Sequence, residues 1–295
     1  MAKQLLPTYS ICSLNHTTTI QSDLIAERFS DYLAKHTDLY FPHKHSFYHL
    51  VYFTKGAGNH SIDFVHYPVQ AGQIYFMSPG QVHTWNFKGN VEGYIINFSE
   101  TYLNSFLYNH HYVEQFSFFS DTVEEQVIQL PANTRALVAQ LFESIIMEAG
   151  STNTFKDDLI RAAMVQLFIH ISRCHTKNTA QPNNPYNSVL LHNFKKMVDL
   201  HYKDKKLTKE YAALLYVTPN HLNALCKDSA GIPAGELIRN RVILEAKRLL
   251  TNASLSIAQI ADELNFMDNS YFSKFFKKYT GLTPEIFRKQ FDTKK

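Results

Sequence analysis

Between residues 38 and 98 the apolar positions fall in short runs separated by Gly and Pro. Residues 48–56 (YHLVYFTKG), 59–69 (NHSIDFVHYPV), 72–80 (GQIYFMSPG) and 91–99 (VEGYIINFS) are aromatic and β-branched. Such runs at short intervals predict an antiparallel sandwich or small barrel. Gly56-Ala57-Gly58 reads as a hairpin turn between the first two runs. The period changes after Pro131. Leu137, Leu141 and Ile145 recur every four residues, and Leu159, Ala162, Ala163, Leu167 and Ile171 form a similar stripe, so two amphipathic helices are expected. Their apolar faces need a partner: the barrel, each other or a second subunit.

Residues 176–185 (TKNTAQPNNP) contain no large apolar side chain and two prolines, the pattern of a linker. Beyond it everything reads helical, with helices expected over 189–202, 208–216, 219–229, 234–250, 257–264, 269–279 and 284–290. Thr218, Asp268 and Thr283 are suited to N-caps, and Pro219 and Pro284 to first helical positions. This half also repeats itself. Residues 212–233 can be laid on 261–284, with Leu215 on Leu264, Leu222 on Phe272, Lys227 on Lys277 and Gly231 on Gly281. Each copy is a helix, a tight turn and a second helix closed by Gly, the plan of a helix-turn-helix.

Charge sharpens the division. Residues 1–185 carry 11 Lys+Arg against 15 Asp+Glu, and residues 186–295 carry 18 against 11. An anionic partner is therefore expected for the second half alone. In the second copy Phe272, Phe275, Phe276 and Tyr279 share the i, i+3, i+4, i+7 face and are expected to be core, with Tyr271 at its border. Ser270, Lys274 and Lys277 lie on another face, with Lys278 beside it. A helix fits the major groove, where lysines meet phosphates or guanine edges.

The density of matching positions is specific. Ile257, Ile260-Ala261, Phe266, Ser270-Tyr271-Phe272-Ser273, Phe276-Lys277-Lys278, Gly281, Pro284 and Arg288 resemble the signature of AraC-type bacterial transcription regulators. Tyr211-Ala212, Val217-Thr218-Pro219, Leu222, Gly231 and the segment from Arg241 to Leu250 fit it in the first copy. The resemblance implies two helix-turn-helix units joined by one long helix, and sequence-specific binding to double-stranded DNA. It carries base-facing roles onto Asn220, Asn223 and Ala224, and onto Ser270, Tyr271 and Lys274. Phosphate contacts fall to Lys227, Lys277 and Lys278. Two departures stand out: the turn position usually held by Gly is Tyr216 in one unit and Asn265 in the other, and position 224, often long and basic, is Ala.

The first half is rich in histidine. His43, His45, Gly56, Gly72, Pro79, Gly80 and His83 resemble a cupin, with His49 where an acidic ligand usually stands. Residues 43 and 45 share a strand face. The reading assigns His43, His45, His49 and His83 to a small-molecule effector pocket and assigns no metal and no cofactor. A transition-metal site or plain structure remain as alternatives. Tyr48, Tyr52, Tyr75 and Trp85 could stack on a planar ligand or form core. No nucleophile elbow, phosphate loop or HExxH motif occurs.

The resulting expectation is a multidomain α+β chain. Residues 1–175 form a cupin-like β-barrel with trailing α-helices, 176–185 a linker, and 186–295 an all-α double helix-turn-helix domain. It would be an effector-controlled, non-enzymatic regulator acting as a homodimer, with contact to RNA polymerase open. A metal-dependent cupin enzyme or sensor with an attached DNA-binding domain is the alternative. Three scattered cysteines, no secretory signal and no membrane-length apolar run point to a cytoplasmic location without membrane contact.

Overall fold

The computed structural model describes residues 7–14, 23–109, 112–119, 125–176 and 185–292. Residues 177–184, most of the expected linker, lie outside them. The described residues up to 176 and those from 185 onward form two compact units.

The first unit runs β1 (Thr8–Tyr9), α1 (Ile11–Leu14), β2 (Leu24–Arg28), α2 (Phe29–Lys35), β3 (His43–His45), β4 (Tyr48–Lys55), β5 (Gly58–Ile62), β6 (Val65–Pro68), β7 (Gln73–Met77), β8 (Val82–Phe87), β9 (Glu92–Phe98), α3 (Glu100–Asn104), β10 (Val127–Gln129), α4 (Ala132–Ala149) and α5 (Lys156–Thr176). The strands form two sheets, in the orders β1-β3-β8-β5-β6 and β10-β7-β4-β9-β2. Pairing is antiparallel except between β1 and β3. This is the cupin-like domain with trailing helices.

The second sheet is covered on both faces, and that explains its unbroken apolar runs. On β4, Val51 and Phe53 point into the domain interior with Tyr75, Trp85 and Ile95. The alternate residues Leu50 and Tyr52 join Phe76, Ile96 and the buried faces of α4 and α5. Those helices pack on the sheet with Val138, Phe142 and Ile145 and with Ile160, Met164 and Phe168.

The predicted stripes hold at Leu141, Ile145, Ala163, Leu167 and Ile171, which are buried, and fail at their first members. Leu137 and Leu159 are exposed (37% and 55%), because the buried face is centred one residue later at Val138 and Ile160. The run over 59–69 is a hairpin in itself, β5 and β6, turning at Asp63 and Phe64 with positive φ. Nor is Gly56-Ala57-Gly58 a hairpin turn. It carries the chain from β4 in one sheet to β5 in the other. A Cβ at Gly58 would stand 2.3 Å from the Asn86 carbonyl oxygen, so glycine is required for that crossing. Tyr52, Tyr75 and Trp85 are core, at 2% exposure or less.

The second unit is all-helical: α6 (Pro185–His201), α7 (Thr208–Leu214), α8 (Pro219–Ala230), α9 (Ala234–Leu250), α10 (Ile257–Glu263), α11 (Asn269–Thr280) and α12 (Pro284–Asp292). The helix α9 touches every other helix of the unit. Its buried stripe of Ile238, Val242 and Ala246 at i, i+4, i+8 makes it the common core element. The expected caps form: Thr218 Oγ1 accepts from His221 N (3.1 Å), and Asp268 Oδ1 from Tyr271 N (2.7 Å). Gly231 and Gly281 close α8 and α11 in the left-handed region, at φ 74° and 78°.

Tyr216 and Asn265 occupy the same left-handed conformation in the two turns, both at φ 55°. A residue with a Cβ pays roughly 1 kcal/mol or more there. The Tyr216 side chain is 97% exposed, so no packing is lost with it. Glycine relieves the strain but adds about 0.5–1 kcal/mol of unfolded-chain entropy, leaving Tyr216→Gly neutral to about 1 kcal/mol stabilising. Tyr216→Val is expected to cost about 1–2 kcal/mol more than Tyr216→Gly, since β-branched residues rarely adopt positive φ. Urea unfolding of the three proteins checks the order. Equal stability of the Gly and Val variants would remove the strain argument.

Candidate nucleic-acid interface and histidine cluster

Each recognition helix has a buried side and a polar side. On α8, Leu222, Leu225 and Cys226 are buried, while Asn220, Ala224 and Lys227 are exposed. Burial pushes the Cys226 thiol up to about 11, so it is an inert core residue. Asn223 is half-buried, and its Oδ1 accepts from Ala234 N at 3.1 Å. That bond ties α8 to the start of α9 and leaves the Asn223 amide N–H donors for other partners. Asn220, Asn223, Ala224, Lys227 and Pro233 line an open hollow of about 500 Å³.

On α11, Phe272 and Phe276 are fully buried. Phe275 is half-buried, and Tyr279 is 43% exposed with the Arg239 guanidinium 5.1 Å from its ring centre. The buried face is therefore narrower than the four-aromatic stripe: Phe272 and Phe276 form its centre, Phe276 packs on Phe287 of α12, and Tyr279 reaches the edge. Ser270, Lys274, Lys277 and Lys278 are exposed, as is Tyr271 at 56%, whose ring lies 5.8 Å from that of Phe266.

The connection between α6 and α7 holds the second turn. Lys203 pairs with Glu263, and Asn265 Nδ2 donates to Asp204 Oδ1 (2.7 Å). Lys206 Nζ lies 5.1 Å from the Phe266 ring centre. Arg241 of α9 donates to Asp199 Oδ1 (2.9 Å) while stacking 4.0 Å over Tyr202. These bonds link the first helices of the unit to the second helix-turn-helix, giving Asn265 a bonding role besides its φ. Nothing in the local pattern around Asn265 identifies Asp204, some sixty positions away, as its partner.

In the first unit the four predicted histidines converge. His43 and His45 of β3, His49 of β4 and His83 of β8 are all buried. His43 Nε2 is 3.1 Å from His45 Nε2, which is 2.8 Å from His83 Nε2. The β3–β8 register sets His43 opposite His83. A fifth ring, His60 of β5, belongs to no motif in the sequence. Its Nε2 is 3.1 Å from His83 Nδ1, and strict alternation along β5 toward the interior is its only sequence signal. His43 Nδ1 donates to the Phe41 carbonyl (2.7 Å), and His49 Nδ1 to Asn97 Oδ1 (2.7 Å).

Desolvation holds His43 down to about 4 and His49 down to about 3. It also lowers His45, His60 and His83 well below the usual imidazole range, so all five rings are neutral at pH 7. His45 Nδ1, His49 Nε2, His60 Nδ1 and Trp85 Nε1 are buried without a hydrogen-bond partner. Orphans of this kind cost about 1–3 kcal/mol each unless something fills them.

Known proteins agree with both halves. The AraC-like ligand binding domain matches residues 32–167, and a helix-turn-helix domain matches residues 211–290. The chain belongs to the AraC-type family of transcriptional regulators. Among related members is the HTH-type transcriptional regulator YfiF of Bacillus subtilis, 27% identical over 264 residues, covering 83% of this chain and 78% of that protein. The HTH-type transcriptional activator RhaR of Mannheimia succiniciproducens is 22% identical, covering 84% and 87%. The B. subtilis regulatory protein YesN is 39% identical over 89 residues, 28% of this chain and 24% of that protein. The family's two parts, a ligand-binding domain and a DNA-binding domain, thus fall on the two compact units. Among the described residues no helix is long and apolar enough to cross a membrane.

Proposed function

We propose that the chain is a sequence-specific DNA-binding regulator whose cupin-like domain takes a small effector, and that the occupied domain changes how two copies of the chain engage DNA. The observation that carries this reading is the pair of capped recognition helices, each anchored by buried side chains, each offering a polar face, and joined through α9. At ~1.5 Å per residue α9 is on the order of 25 Å long, matched to successive major-groove segments on one face of the duplex. Asn220 is suited to an adenine edge and Lys274 to a guanine edge, with Ser270 and Tyr271 beside it; Ala224 is suited to a thymine methyl. Asn223 serves chiefly to hold the α8–α9 turn. Lys227, Lys277 and Lys278 are suited to phosphates.

The same reading divides the chain into an effector domain over 1–175, a connector over 176–185 and a DNA-binding domain over 186–295. His43, His45, His49 and His83 provide the polar part of the effector site. A homodimer is supported by Met147, Phe155 and Leu159, which are 74%, 76% and 55% exposed on and between α4 and α5. Double-stranded DNA, the effector and a second copy are its partners, and the cytoplasm is its place of action.

The test is a salt series on the full chain with DNA from upstream of its own gene. Specific affinity about 10³-fold or more above competitor DNA is expected, with log K falling linearly in log salt. Equal affinity for operator and competitor at every salt concentration would refute it.

A further inference from the structure

We infer that His43, His45 and His83 form a binding site for a divalent transition-metal ion, with His60 as the outer support of His83. The inference deepens the effector reading of the same domain, and rests on it only for the regulatory consequence.

Proton counting decides the matter. A neutral imidazole carries a single N–H. The Phe41 carbonyl accepts the Nδ1–H of His43, so His43 Nε2 is a bare lone pair, and it faces His45 Nε2 at 3.1 Å. His45 Nε2 also faces His83 Nε2 at 2.8 Å. If His45 carries its proton on Nε2, the His43 and His83 Nε2 atoms must both be bare. If it does not, the bare nitrogens of His43 and His45 oppose one another. Every neutral assignment therefore turns at least two lone pairs toward one point.

An added proton offers no escape, since all three rings are buried and the group they form includes no carboxylate to pair with a charge. A cation resolves it. With all three Nε2 atoms bare, His43 keeps its bond to Phe41, and the Nδ1–H of His83 finds His60 Nε2 at 3.1 Å. His43 and His83 thus hold their other N–H as ligating histidines do, while the Nδ1–H of His45 is left without a partner.

Two of the three spacings fit as they stand. Metal–nitrogen bonds of about 2.0–2.1 Å hold nitrogens roughly 3 Å apart, as the 3.1 Å and 2.8 Å pairs already are. The ligand atoms of the three buried rings all lie within 4.8 Å of one another, so a small rotation of the rings closes the set on an ion. Imidazole donors suit zinc, copper, iron or nickel rather than magnesium or calcium. Three protein ligands leave a position open, and the triad includes no carboxylate, so an anion or hydroxide would complete the charge. The unpartnered indole N–H of Trp85, on a ring 5.1 Å from that of His83, can donate to it. His49 Nε2, on a ring 5.0 Å from that of His45, is a lone pair because the His49 Nδ1–H goes to Asn97, and it can accept only the hydrogen of a bound hydroxide or water.

The experiment uses full-length protein stripped with chelator and titrated with Co²⁺, then competed with Zn²⁺. A visible ligand-field band saturating at about one equivalent, abolished by Zn²⁺, is expected, with a rise in melting temperature that chelator reverses. His83→Ala should lose the band. His60→Ala, which removes only the outer partner, should weaken Co²⁺ about 10–100-fold. His66→Ala, at an exposed position on β6, should bind as wild type.

Circular dichroism establishes that each variant is folded. Folded wild-type protein that gives no band and no melting shift overturns the inference, as does a folded His83→Ala variant that keeps the band. DNA affinity measured with and without the ion separates the two readings. Metal binding without specific DNA binding would leave the metal site standing and remove the regulator reading. Specific DNA binding without metal binding would do the reverse.

Discussion

Replacing Phe276 by alanine is expected to cost about 3–5 kcal/mol and to disable the DNA-binding domain. Phe276 is fully buried, with ring centres 6.0 Å from Phe272 and 5.5 Å from Phe287, where α11 meets α12. A truncation there removes much of the apolar surface that seats the recognition helix on its support, and the small unit has little room to collapse around the void. A domain stable by about 5–15 kcal/mol loses a large fraction of that margin. The measurement is urea unfolding of the full chain followed by circular dichroism, with DNA binding at the same temperature. Specific affinity should fall with the folded fraction and return on cooling toward the stability maximum. A cost below about 1 kcal/mol would mean that α11 is held by something other than its aromatic face.

Replacing Lys274 by alanine should do the opposite: leave stability within about 0.5 kcal/mol and weaken specific binding by about 1–3 kcal/mol, roughly 5- to 150-fold. Lys274 is exposed on the side of α11 away from Phe272 and Phe276. Its removal should relax discrimination at one base pair while competitor binding changes little. Lys277→Ala tests the contrast. Without its charge on a phosphate, binding should weaken alike for all sequences and the salt slope should fall by about 1. Binding curves on operator and scrambled DNA at several salt concentrations distinguish the two lysines. If Lys274→Ala weakens both DNAs equally, its role is backbone contact and another residue reads the base. Tyr271 lies between the two faces at 56% exposure, and Tyr271→Ala shows by its stability cost which face it serves.

Most of the DNA-binding domain is legible in the sequence because its signals are local. Caps and closing glycines lie within four residues of what they fix, the buried Phe272 and Phe276 share a face at four-residue spacing, and α9 begins and ends where its pattern does. The departures come from partners far along the chain. Tyr279 follows the apolar spacing, yet it sits at the end of α11 beside Arg239 and stays 43% exposed. Asn223 fits a base-reading position, but its carbonyl is drawn to Ala234. In the first unit, alternation on β3 places His43 and His45 together. The sandwich closure that adds His60 depends on the Gly56–Gly58 segment crossing between sheets, which a local turn pattern does not distinguish from a hairpin. The exposed Leu137 and Leu159 have a similar cause. A stripe of spacing four is satisfied by two adjacent faces, and the sheet beneath chooses between them.

Both recognition helices should engage one face of an operator, and hydroxyl-radical footprinting of the full chain on the DNA upstream of its gene tests this most directly. Protected segments are predicted to be centred about 10–10.5 base pairs apart on one face, two for each bound copy, with Asn220→Ala fading one member of a pair and Lys274→Ala the other. A single protected segment per copy, or uniform protection unaffected by either substitution, would contradict it.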